Sequence, residues 1–149
     1  MTDNYFMEIS NEELYKIVSK INEVFYDKVF KDPWLKFVFD GVPEDHIRDQ
    51  QTDFIVKVFG GPKRYSGRNP RDAHPHIFIQ EDMWELREKY LVEAFEETNT
   101  PEWIREKWLK VDESFKAAIL KKDVSECQGR YRNEPIIYVQ NPNKGKKVA

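Results

Sequence analysis

The side chains able to do chemistry are few, and their spacing limits what that chemistry is. Histidine occurs three times, at His46, His74 and His76, and cysteine once, at Cys127. His74 and His76 are two residues apart with Pro75 between them, a poor spacing for chelating one metal, so a zinc site is not expected. A lone cysteine closes no disulfide within the chain. Glycine-rich phosphate loops, nucleophile elbows and zinc-protease helices are all missing from the sequence. What stands out instead is polarity in the wrong place. Gln51 lies on the apolar stripe formed by Ile47, Phe54, Ile55 and Val58, and Tyr26 sits beside Phe25 in another such stripe. A buried amide without a partner costs about 1–3 kcal/mol. A single buried tyrosine commonly finds a backbone carbonyl. Two polar tips in one apolar interior also describe a ligand pocket with a few placed donors.

The elements that must carry these residues read as helices. Ser10-Asn11-Glu12-Glu13 has the pattern of a capping box, and Leu14, Ile17, Val18, Ile21, Phe25 and Val29 follow at helical spacing up to Asp32-Pro33. Trp34 to Phe39 is a short, strongly apolar connector. Pro43, Glu44 and Asp45 open a second helix, which Gly60-Gly61-Pro62 stops. A loop follows over 63–71, then a short turn with Ala73 and His74. A third helix is expected from Glu81 to Phe95, and a fourth after Thr100-Pro101, with Trp103, Ile104, Trp108, Val111, Phe115, Ala118 and Ile119 at helical spacing. Strand-like alternation is absent over 11–122. The remainder, 123–149, is richer in proline and glycine, and its one apolar run, Ile136 to Val139, looks strand-like.

The bulk composition agrees with an all-α domain and excludes several classes. The 149 residues suit one domain with a real core, and 14% aromatic residues are ample to line a cavity. A net charge of −3 offers no field for nucleic acid. No apolar run is long enough for a membrane span, and Met1 to Ser10 does not read as a signal peptide, so a cytoplasmic location is expected. We divide the chain into an N-terminal extension (1–10), a helical domain (11–122) and a tail (123–149) that is extended or disordered.

One family fits these residues in register. Phe25-Tyr26-Asp27-Lys28-Val29-Phe30-Lys31-Asp32-Pro33, then Leu35 and Phe39-Asp40-Gly41, resembles the FY-x-x-V-x-x-DP-x-L…F-x-G signature of truncated haemoglobins. Phe59-Gly60-Gly61-Pro62-Lys63-Arg64-Tyr65-Ser66-Gly67 resembles the GGP-x-x-Y-[ST]-G block of their group I, and Ala73-His74 follows. The match runs without a gap from Tyr26 to Trp84. The resemblance covers roughly residues 11–120, and the tail has no counterpart in the minimal family fold.

That resemblance implies two helix pairs sandwiching a b-type haem, with His74 as the iron ligand. It places Tyr26 and Gln51 on the distal side and Phe39, Ile47, Phe54, Ile55, Ile79 and Trp84 along the haem wall. Tyr65, with Arg64 or Arg68, is expected at the propionates. His46 is expected to point away from iron, and His76 to lie at the surface or near a propionate. Covalent attachment is not expected, because C-x-x-C-H is absent. The function implied is reversible binding of O2, CO and NO, including oxygen transport, with NO dioxygenase activity if a reductase supplies electrons. The alternatives are a haem peroxidase and a gas sensor signalling through the tail. Since every matched residue precedes Lys122, the tail is expected to be dispensable for haem.

Overall fold

The computed structural model describes residues 9–142, and these are helical with no strand among them. The extreme N-terminal residues and the terminal lysines 144, 146 and 147 lie outside the described residues. Helix α1 spans Asn11–Lys31, and Ser10 caps it by accepting a 3.0 Å hydrogen bond from Glu13 N. Its buried stripe holds Leu14, Val18, Ile21, Phe25 and Val29, as the spacing requires, together with Asn22 and Tyr26. The Trp34–Phe39 connector is not wholly irregular: α2, one turn long, spans Leu35–Val38. Asp32 makes it possible. Its Oδ1 accepts from Trp34 N and Leu35 N, both at 2.8 Å, while Tyr90 donates its hydroxyl to Oδ2.

Helix α3 spans Glu44–Val58 and packs against α1. Asn22 Nδ2 donates to Thr52 Oγ1 at 3.0 Å, joining the two helices through buried polar groups. At the C-terminal end Gly60 has φ +92°, a conformation open to glycine at little cost. The next glycine answers to crowding instead: a Cβ at Gly61 would lie 2.6 Å from Val56 Cγ1. One-turn helix α4, Pro70–Ala73, is capped by Asn69 and delivers His74 at its end.

Helix α5 spans Glu81–Glu97, two residues beyond the end expected from the apolar pattern, and packs on α1. Helix α6 spans Glu102–Ile119. It joins α5 through the edge-to-face pair of Phe95 and Trp108, with centroids 5.4 Å apart, and through Arg87 and Asp112. Of the four long helices, α1 thus packs closely on α3 and on α5, while α5 and α6 are joined through side chains.

Beyond α6 the chain makes one 3-10 turn, Val124–Glu126, and then runs back over the segment that follows His74. Ile137 N donates to His76 O and Phe78 N donates to Ile137 O, each at 2.8 Å, a single parallel bridge. Gln128 N donates to Pro75 O at 2.8 Å, and Trp34 Nε1 donates to Val139 O at 2.8 Å. The ring of Tyr138 meets Phe78 edge-on.

Candidate functional site

A cavity of about 370 Å³ opens where α1, α3, α5 and α6 converge on the His74 segment. His74 is held from one side. Its Nδ1 lies 2.7 Å from Pro70 O. A carbonyl only accepts, so Nδ1 carries the proton and Nε2 keeps the free lone pair, the form in which imidazole binds a metal. Burial pushes its pKa down to about 4, only partly offset by the Pro70 carbonyl, so the ring is neutral at physiological pH. The backbone behind the ring is also tied: Lys121 Nζ donates to the carbonyls of His74, at 2.9 Å, and Ile77, at 2.7 Å.

Tyr26 and Gln51 both line the cavity. Tyr26 is buried among Phe25, Phe30 and Phe39, and its hydroxyl makes no hydrogen bond among the described residues. Burial raises its pKa, so it stays a neutral donor. Gln51 likewise has no hydrogen-bond partner among the described residues. Of the residues expected at the wall, Phe39, Ile47, Phe54, Ile79 and Trp84 line the cavity. Ile55 does not. It is fully buried in the helix core, one residue step of about 100° from Phe54.

Three expectations need correction. Tyr65, expected at the propionates, lines the cavity with its hydroxyl donating to Arg68 O and its ring edge-on against Phe54, which narrows what that hydroxyl can offer a propionate. Of its two neighbouring arginines, Arg68 lines the cavity and Arg64 does not. His76 is not at the surface: it is buried and lines the cavity, its Nε2 faces Glu134 at 3.9 Å, and its Nδ1 has no hydrogen-bond partner among the described residues. Burial, with Arg130 nearby, lowers its pKa. Nor is the tail separate from the cavity, because Arg130 and Ile137 contribute to its lining. His46 is exposed, on the side expected.

Trp84 apart, the sequence reading missed the contribution of the last two helices. Met83, Arg87, Val111, Asp112, Phe115 and Ile119 all line the cavity. Arg87 is the least expected. Its Nη1 donates to Asp112 Oδ2 at 2.7 Å and to Glu88 Oε1 at 2.9 Å. A signal was available: Arg87 stands three residues after Trp84 and four before Leu91, on the apolar face of α5.

An apolar cavity into which His74 brings a neutral imidazole with a free nitrogen, with His76 also in the lining and two unpartnered polar groups nearby, suits a flat apolar cofactor bound through a metal. Comparison with known proteins agrees. Residues 9–121 match the family model described as bacterial-like globin. The chain belongs to the bacterial-like globins, the truncated haemoglobins. The globin is 29% identical over 99 residues to a group 1 truncated haemoglobin of Tetrahymena thermophila, covering 66% of this chain and 82% of that protein. It is 40% identical over 57 residues to the group 1 truncated haemoglobin of Tetrahymena pyriformis, a match spanning about half that relative's length, 47%. Its fold matches the structure of the T. pyriformis protein in the Fe(III) form with a TM-score of 0.63 at 27% identity, over 73% of this chain and 98% of that one. The family implies a haem cofactor and the binding of diatomic gases such as O2. No described helix is long and apolar enough to cross a membrane.

Proposed function

We propose that this globin holds a b-type haem through His74 Nε2 and binds O2, CO and NO reversibly on the side of Tyr26 and Gln51. The observation that carries this reading is the bond between His74 Nδ1 and Pro70 O, which leaves the Nε2 lone pair of a neutral ring unshared, whereas the Nε2 of His76, also in the lining, faces Glu134. Non-covalent attachment follows from the absence of C-x-x-C-H. When bound, haem supplies an iron with an open coordination position for a diatomic ligand.

The chain's own residues do the rest. The Pro70 carbonyl fixes the tautomer and plane of the His74 ring. Phe39, Ile47, Phe54 and Trp84 keep the cavity apolar and exclude water. The Tyr26 hydroxyl and the Gln51 amide have no hydrogen-bond partner among the described residues, so their protons are available to a ligand. Arg68, beside Tyr65 at the cavity edge, suits a propionate.

An absorption spectrum in the ferric, ferrous and CO-bound forms tests the reading. His74→Gly should lose stable haem binding and recover it in part when imidazole is added. His76→Ala should retain haem. No Soret band after haem reconstitution of the wild type would overturn the proposal, and haem loss in His76→Ala alone would move the ligand two residues along the chain.

A further inference from the structure

Arg87 is a charged group in an apolar cavity that haem binding, as described above, does not use. We propose that Arg87 makes the cavity a binding site for small monovalent anions, held beside Tyr26 at the haem's ligand side. The proposal rests on the haem reading above and adds a ligand class to it.

The guanidinium is fixed in place by its partners. Its Nη1 donates to both Asp112 and Glu88. Its plane lies between two cavity-lining rings, with Cζ 5.5 Å from the centroid of Phe25 and 5.1 Å from that of Trp84. Such stacking stabilises a cation with a weakly hydrated flat face. Nε and Nη2 make no hydrogen bond among the described residues. They are also not sealed in: the orphaned, fully enclosed polar atoms are Asn22 Oδ1, His76 Nδ1 and Trp108 Nε1, and a quarter (24%) of the Arg87 side chain stays accessible.

A purely structural ion pair would need none of this. Asp112 on α6 and Arg87 on α5 could join the helices with the fork turned fully toward the carboxylate. Instead one nitrogen serves two carboxylates and the other two are left over. Phe25, against which the guanidinium stacks, meets Tyr26 edge-on at 4.8 Å, so the unpartnered hydroxyl belongs to the same corner. Two nitrogens, Nε and Nη2, are left with unused N–H donors in the cavity that the Tyr26 hydroxyl also lines, and Arg87 and Tyr26 interact electrostatically; a compact anion accepts from such a set. Asp112 and Glu88 are the acidic groups facing Arg87. Both meet it at Nη1 and leave the opposite edge to the ligand.

Ferric holoprotein titrated with azide, and separately with neutral imidazole, decides the matter by the shift of the Soret band. Arg87→Met should weaken azide binding about 10- to 100-fold, the loss expected for one charge-assisted hydrogen bond, and change imidazole affinity by less than about threefold. Asp112→Asn keeps the guanidinium and removes its counter-charge, so azide should bind several-fold more tightly. Equal losses for azide and imidazole in Arg87→Met would mean that only pocket shape had changed, and unchanged azide affinity would make Arg87 a structural residue. Either result overturns the proposal. If Arg87→Met does not retain haem, Asp112→Asn decides alone, with no gain in azide affinity counting against it. Failure of the haem reading itself would look different: the wild type would show no Soret band to shift.

Discussion

The Tyr26 hydroxyl is buried, neutral and without a hydrogen-bond partner among the described residues, and its value therefore depends on what enters the cavity. Tyr26→Phe removes one oxygen and keeps the ring packing against Phe25 and Phe39. A hydrogen bond to a strongly polar group is worth about 1.5–3 kcal/mol. O2 release should therefore accelerate roughly 10- to 100-fold in stopped-flow displacement. CO, which draws much less negative charge, should leave at nearly its original rate. Equal acceleration of both gases would place the effect in access past Ile47 or Trp84 instead. His74 shows the opposite arrangement at the same scale: one ring nitrogen is committed to Pro70 so that the other is free.

At the level of elements, the segment from His74 to Ile79 has no regular structure of its own, and others hold it. Lys121, just beyond α6, donates to three carbonyls, those of His74, Ile77 and Ile119. The tail adds backbone bonds at Pro75, His76 and Phe78, while Glu134 binds Arg130 in a fork beside His76. Removing the tail after Lys122 leaves the lysine clamp and strips away the rest. Each such hydrogen bond is worth about 0.5–1.5 kcal/mol. The truncated globin should keep a recognisable haem spectrum but lose haem at least about tenfold faster, as measured by transfer to excess apomyoglobin. An unchanged rate would show that Lys121 alone positions the segment. The expectation that the tail is dispensable considered only which residues match the family, whereas backbone groups of residues 75–78 are equally part of the site.

For the whole molecule, the same ion cluster that joins α5 to α6 sets a pH dependence of stability. Burial pushes the Glu88 carboxyl up to about 7, helped by its hydrogen bond with Asp112 and that residue's charge, with Arg87 pulling the other way. Two carboxylates share one guanidinium nitrogen, so one of them is held less easily as an anion. In the unfolded chain Glu88 ionises near 4.5. Between about pH 4.5 and 7 the folded state thus binds more protons than the unfolded one, and stability falls as pH rises through that window. Glu88→Gln mimics the protonated form and removes the effect. It should be more stable than the wild type at pH 8 by on the order of 1–2 kcal/mol, seen as a higher melting temperature, and the gap should close toward pH 5. A constant gap across that range would separate Glu88 from the effect.

The sequence by itself determined the local matters. Apolar spacing of 3.6 residues, Ser10, the Gly60-Gly61 exit and Asn69-Pro70 ahead of His74 act within one or two turns, and the helices begin and end close to where those signals lie. The polar residues misplaced in apolar stripes, Tyr26 and Gln51, were legible because helical period alone turns them inward. Tertiary structure decided everything that depends on two distant segments meeting. Ile55 and Phe54 are neighbours with the same chemistry, and only the packing of α3 on α1 tells which one faces the cavity. His76 looks like a loop histidine until Glu134, 58 residues later, is folded against it. Arg87 stands on the apolar face of α5 by its spacing, but what it meets there appears only when α6 brings Asp112 to within 2.7 Å, because a charge inside a core is tolerable only beside a partner that sequence spacing cannot supply.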